Sequence, residues 1–226
     1  MFDSIHVLFC LPFVALPFDQ PPVFYKKLTD TTMKDYAAIG DSDKDKSYFL
    51  RMYLGCYRAA DYLAGRDDWD GRTLVVMGTS QGGQQSIITA AIHPKITAML
   101  ANVPGGCDVT GASAGRAAGF PYWSNHATWD KNPQILETGR YFDAVNFADR
   151  IKCPALVSCG LIDETCPAAG VLAAFNQMNG PKHVLILLNS NHHGDGNAQA
   201  RYFSLSEKWL AKMVRGEQPA VEPGAR

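Results

Sequence analysis

Leu74-Val75-Val76-Met77-Gly78-Thr79-Ser80-Gln81-Gly82-Gly83 is the stretch on which the reading of this chain turns. An apolar run passes directly into Gly-x-Ser-x-Gly, and Gln84-Gln85-Ser86-Ile87-Ile88-Thr89-Ala90-Ala91-Ile92 follows with the composition of a helix. A buried strand that turns sharply onto a helix forces its serine into a strained backbone position and holds the hydroxyl out over a cleft. Gly78 and Gly82 lack the β-carbons that would clash as the chain doubles back. A pentapeptide of this kind also arises by chance as an ordinary loop serine, so its weight comes from context: a strand before it, a helix after it, and an acid and a histidine further along.

Upstream, Phe49, Leu50, Tyr53, Leu54, Tyr57, Ala60 and Leu63 recur at three- and four-residue spacing, which predicts a helix over 46–63 with one buried face, capped by Asp45 or Ser47. Asp67-Asp68-Trp69-Asp70-Gly71 supplies turn chemistry before the elbow strand, and His93-Pro94 ends the elbow helix. Three further apolar runs, 96–103, 154–160 and 182–188, read as buried parallel strands. Helices are expected around 168–178 and 198–214. The stretch 104–139, rich in Gly, Ala, Pro and aromatics and without a sustained period, reads as a cap- or lid-like insertion. Its Trp123 and Trp129 suit either a cleft wall or a small satellite core. The tail from Gly216 to Arg226 is expected to be loose.

The pattern is that of one α/β domain over 1–226, a mostly parallel sheet flanked by helices with its site at the carboxyl ends of the strands. With 226 residues, 46% of them hydrophobic, the chain has material for one substantial core. A formal net charge of −1, from 21 basic and 22 acidic residues, gives no electrostatic reason to expect nucleic acid or an anionic membrane as partner. A small or neutral substrate fits better. Cysteines 10, 56, 107, 153, 159 and 166 form no Cys-x-x-Cys pair and no zinc-type spacing with histidine, so most are expected to be buried thiols. The apolar run Ile5 to Leu16 has no preceding basic residue and no small-x-small cleavage site, and it is too short to cross a bilayer. It is read as the ragged edge of an incomplete chain in preference to a core strand or a leader.

A serine hydroxyl near neutral pH needs a base to take its proton and donors to stabilise the oxyanion formed on attack. Asp163 follows the strand ending at Gly160 and His192 follows the strand ending near Leu188, which gives the order Ser80, Asp163, His192 of the α/β-hydrolases. In this reading His192 is the base, with His193 as the alternative. Asp163 orients the imidazole, with Glu164 and Asp195 as alternatives, and the backbone N–H of Gln81 is one oxyanion donor. The second donor normally comes from an earlier strand-to-helix loop, and no motif marks it.

Beyond that general pattern, four blocks resemble the acetyl xylan esterase and cephalosporin-C deacetylase family. They are Gly78-Thr79-Ser80-Gln81-Gly82-Gly83, Tyr141-Phe142-Asp143-Ala144-Val145-Asn146-Phe147-Ala148, Ile151-Lys152-Cys153-Pro154, and Gly160-Leu161-Ile162-Asp163-Glu164-Thr165-Cys166-Pro167. The resemblance runs from about Tyr48 to the last helix. It implies the α/β-hydrolase fold, removal of acetyl groups from sugar hydroxyls, a small acetylated sugar or xylo-oligosaccharide as substrate, no cofactor, and self-association into a homo-oligomer. Ser80, Asp163 and His192 fall on the family's nucleophile, acid and base positions. Two departures stand out. The family carries Gly-His-Glu at its catalytic histidine where this chain has Asn191-His192-His193-Gly194. The family also has a long amino-terminal portion, with an Arg-Gly-Gln signature and the oxyanion loop, that finds no counterpart before Lys46. Residues 1–45 are therefore expected to be atypical or truncated and the sheet to lack some amino-terminal strands. Two other readings accompany the esterase: a prolyl-oligopeptidase-like serine peptidase on the same fold, and an inactive fragment or interaction module.

Overall fold

The helical periodicity that begins near Lys46 closes on a single face. In the computed structural model, which describes residues 4–10 and 20–219, helix α2 spans Tyr48–Ala64 and buries Phe49, Tyr53, Ala60 and Ala64. Ser47 caps it: its hydroxyl accepts from the Phe49 N–H at 3.2 Å, one of the donors that a first helical turn leaves unpaired. Before it lie strand β1, Ser4–Cys10, and helix α1, Pro22–Asp30, whose residues are all at least partly exposed. Part of the apolar amino-terminal run, Ser4–Cys10, is a strand of the sheet, while its remainder, Leu11 to Leu16, lies outside the described residues.

Strand β2 runs from Trp69 to Thr79, α3 from Gln81 to Ile92, β3 from Ala98 to Asn102, β4 from Ala155 to Gly160, α6 from Ala168 to Gln177, β5 from Lys182 to Leu187 and α7 from Ala200 to Val214. The five strands form one sheet in the order β1-β2-β3-β4-β5, with every neighbouring pair parallel. This is the α/β-hydrolase arrangement. The turn expected at 67–71 is present at Asp67 and Asp68, but β2 already begins at Trp69, so Asp70 and Gly71 form an irregular start of the strand. Gly71 sits at φ 71°, the Asp70 carboxylate accepts from the N–H groups of Arg72 and Thr73, and the pairing with β1 shifts register there.

Alternation along the buried strands sorts their side chains to two faces. Leu74 and Val76 of β2, Met99 and Ala101 of β3, and Val157 and Cys159 of β4 share a core with α2, α3 and α6. Val75, Ala98, Leu100, Leu156, Leu185 and Leu187 point the other way, onto Tyr202, Trp209 and Met213 of α7. No helix among the described residues is long and apolar enough to cross a membrane.

The insertion 104–139 holds α4, Trp123–Trp129, and α5, Gln134–Arg140. Trp123 turns inward: it is fully buried, its ring centroid lies 4.8 Å from that of Phe49, and its indole N–H donates to the carbonyl of Ala37. The side chain of Trp129 and the tail from Ala220 lie outside the described residues. The block after the insertion ties it down. The buried Asp143 carboxylate accepts from the N–H groups of Asp108, Val109 and Val145, and the Phe142 carbonyl accepts from the Tyr53 hydroxyl at 2.9 Å. Desolvation raises the Asp143 pKa above the ordinary carboxylate range, opposed by those three N–H donors.

Phe49 is the joint between α2, Trp123 and Phe142, with 0% of its surface exposed. Phe49→Ala is expected to cost about 3–5 kcal/mol, transfer and cavity combined, read as a lower urea midpoint with an unchanged slope. A loss under about 1 kcal/mol would show that the insertion is not packed through this ring.

Candidate active site

At the end of β2 the chain reverses through Ser80, whose φ of 58° and ψ of −121° lie outside the conformations a non-glycine residue readily adopts. Three backbone hydrogen bonds hold it. The Ser80 N–H donates to the Asn102 carbonyl at 2.9 Å, and its own carbonyl accepts from Gln84 and Gly105, each at 3.0 Å. Gly83 permits the close approach behind the turn, because a β-carbon there would lie 3.0 Å from Cα of Pro104 and 3.2 Å from the carbonyl oxygen of Asn102.

Ser80 Oγ lies 2.7 Å from Nε2 of His192, and Nδ1 of His192 lies 2.9 Å from Oδ2 of Asp163. The other carboxylate oxygen of Asp163 accepts from the N–H groups of Thr165 and Cys166, so the acid is bonded on both sides, with its side chain fully buried. With the carboxylate accepting at Nδ1, the ring proton sits there and Nε2 is left to accept from the serine hydroxyl. His193 is exposed, its ring centroid 5.7 Å from that of His192. Glu164 is exposed as well, and Asp195 points to the side-chain amide of Asn191. Gln81 opens α3, so its N–H has no intrahelical acceptor and points out at the positive end of the helix. Cys10 and Gly78 are register partners, so the chain leaving β1 starts beside the elbow. That segment, from Leu11 to Asp19, lies outside the described residues.

Several groups around the site carry no sequence motif. Asn102, at the end of β3 and fully buried, donates from its side-chain amide to Oε1 of Gln199 at 2.7 Å and accepts from the Ser158 hydroxyl. Gln199 in turn donates to the His192 carbonyl at 3.1 Å. This chain of bonds connects the elbow to the histidine loop. A signal for it was present in the sequence, since Ser158 and Asn102 are polar residues within or ending otherwise apolar runs. The hydroxyl of Tyr36 donates to the side chain of Gln81 at 3.2 Å, and burial raises its pKa to about 12. Cys166 is 3% exposed and lies next to the triad, its Sγ within 4.8 Å of ligand atoms of Asp163 and His192. Burial, and after it the Asp163 carboxylate, pushes this thiol far above its ordinary range, so it remains neutral beside the serine.

The parallel sheet and a serine elbow at the carboxyl end of its second strand define an α/β-hydrolase. A model of the acetyl xylan esterase (AXE1) family matches residues 24–211, and the chain belongs to that family. It is 36% identical over 180 residues to an acetyl esterase, Axe7A, of Xylanibacter ruminicola, covering 80% of this chain and 40% of that protein. Among solved structures it is similar to an acetyl xylan esterase from Paenibacillus sp. R4, with a TM-score of 0.68 and 28% identity over 80% of this chain and 57% of that one. Acetyl xylan esterase 1 of Thermoanaerobacterium sp. JW/SL YS485 shares the fold, with a TM-score of 0.67 and 20% identity over 89% of this chain and 74% of that one. The chain thus spans about two fifths of the length of the curated relative.

Asn102→Ala would strand the Ser158 hydroxyl and the Gln199 amide in the interior, which is expected to cost about 1–3 kcal/mol for each group left unpaired. Thermal unfolding reads that loss. A variant as stable as the parent would show that the polar chain behind the elbow contributes nothing.

Proposed function

We propose that the chain is a serine carboxylesterase that removes acetyl groups from the hydroxyls of acetylated sugars or xylo-oligosaccharides, with Ser80 as nucleophile, His192 as base and Asp163 as orienting acid. The observation that carries this reading is the pair of contacts in series, 2.7 Å from Ser80 to His192 and 2.9 Å from His192 to Asp163, reaching from a strained serine to a buried carboxylate. Membership of the acetyl xylan esterase family supports the substrate class.

In the proposed sequence, Ser80 Oγ attacks the acetyl carbonyl as its proton passes to Nε2 of His192, and Asp163 holds the resulting imidazolium through Nδ1–H. The Gln81 N–H donates to the developing oxyanion, where preorganised donors have their effect. Collapse of the tetrahedral intermediate breaks the ester bond, and the sugar oxygen leaves with the proton from His192. Acetyl-Ser80 remains. Water then attacks the acyl carbonyl while His192 takes its proton, acetate departs, and the proton returns to Ser80 Oγ. The peptidase reading rests on shared fold alone, and no residue of the site favours an amide over an ester.

Acetate release from p-nitrophenyl acetate and acetylated xylan is the direct test. Ser80→Ala is expected to bring release to background, and Asp163→Asn to lower kcat by about 10⁴ while circular dichroism stays unchanged. Parent-like acetate release by a folded Ser80→Ala protein would overturn the assignment. A fluorophosphonate that fails to label Ser80 in the folded parent would favour the inactive module.

A further inference from the structure

The acyl-transfer sequence above leaves one buried group at the site unused. Cys166 follows Asp163 by three residues, and its backbone N–H donates to Oδ1 of Asp163 at 2.7 Å. The backbone of Gly105 closes the other side, since a β-carbon there would lie 3.4 Å from the sulfur. One sulfur, one imidazole nitrogen and one carboxylate oxygen, from Cys166, His192 and Asp163, all lie within 4.8 Å of one another. Among the described residues no other group of three such side chains is gathered in this way.

We propose that Cys166, His192 and Asp163 form an inhibitory site for a thiophilic divalent cation, Zn²⁺ or Cd²⁺, superimposed on the catalytic relay. Sulfur, imidazole nitrogen and carboxylate oxygen are the three protein ligand types of zinc. A tetrahedral ion with bonds of about 2.0–2.3 Å places its ligands roughly 3.5 Å apart, so closure asks for an inward movement on the order of 1 Å. Cys166 follows β4 and His192 follows β5, neither within a helix or strand, so the shift falls on loop residues. The fourth position faces Ser80 Oγ or water from the cleft.

Binding releases the thiol proton to solvent and involves no change of oxidation state. It also removes the acid or the base from the relay, because the lone pairs that bind the ion are those the relay uses. Sequence patterns do not reveal such a site. Asp163 and Cys166 are close in the chain, but His192 arrives from the next strand, which no zinc-type spacing encodes.

The test adds Cd²⁺ to the purified chain in metal-free buffer and reads the cadmium–thiolate charge-transfer absorption, with stoichiometry from equilibrium dialysis. The expected result is one ion per chain, an absorption band that Zn²⁺ displaces, and loss of p-nitrophenyl acetate hydrolysis that EDTA restores. Cys166→Ala is expected to abolish the band, and His192→Ala, which removes a ligand, to weaken binding by more than the about 10–100-fold that loss of an outer-shell partner costs. Either variant suffices if the other does not fold.

A parent protein without the band, or a band that persists in Cys166→Ala, overturns the proposal. The optical readout is independent of the esterase reading. A band in a protein that hydrolyses nothing would keep the metal site and sink the esterase, whereas hydrolysis that is serine-dependent but shows no band would do the reverse.

Discussion

The backbone of Ser80 is the constraint around which the rest is arranged. A serine at φ 58° is held in a conformation that costs on the order of 1–3 kcal/mol, and it persists only because its surroundings over-determine it. They do so from three directions at once. Asn102 of β3 takes its N–H, Gln84 of α3 and Gly105 of the insertion both donate to its carbonyl, and the glycine at 83 lets Pro104 press against the helix. Val103 shares the strain: a β-branched residue at φ 38°, fully buried, it donates its N–H to the Ser158 hydroxyl oxygen, on the residue next to the one that anchors the elbow. Strain at two positions directly after adjacent strands, joined by hydrogen bonds, fixes Ser80 to the end of the sheet.

The same economy explains why polar groups are buried where they are. An apolar residue at 102 would pack acceptably at the end of a parallel strand, yet Asn102 uses its backbone carbonyl for Ser80 and its side chain for Ser158 and Gln199, and Gln199 holds the carbonyl of His192. A hydrogen-bonded chain of this kind has value only when each member is satisfied, because a stranded amide in a low-dielectric interior is worse than none. A second buried chain, from Gln84 through the Tyr53 hydroxyl to the Phe142 carbonyl, fastens α3 and α2 to the segment after the insertion, although it leaves Oε1 of Gln84 without a partner among the described residues. The Tyr141 to Ala148 block, the most specific part of the resemblance, thus acts through Phe142 packing and the Asp143 carboxylate. It holds up the site without entering it.

Much of this was legible before any coordinates. Strand and helix alternation is written in the periodicity of apolar residues, and the order serine, acid, histidine follows from the sheet, since parallel strands present all their carboxyl ends at one edge. What stayed hidden depends on contacts between segments far apart in sequence. Trp123 could have lined a cleft, and only the ring of Phe49, 74 residues earlier, turns it inward. The choice between His192 and His193 rests on where the loop after β5 points, which the Gln199 amide helps to set. The start of β2 was misread because Asp70 and Gly71 carry turn chemistry that the structure uses for an irregularity inside the strand.

Charge stabilisation follows from the topology in the same way. In the proposed mechanism the Gln81 N–H, at the amino end of a helix of 12 residues directly after the serine, is a donor fixed by the local turn. A tetrahedral oxyanion has lone pairs directed to more than one side, and the elbow helix covers only one of them. The neighbouring strand, β1, runs parallel to β2 with Cys10 level with Gly78. In the proposed mechanism, three side chains at hydrogen-bonding distance specify how the proton moves, while the rate of acyl transfer depends also on preorganised backbone donors such as the Gln81 N–H.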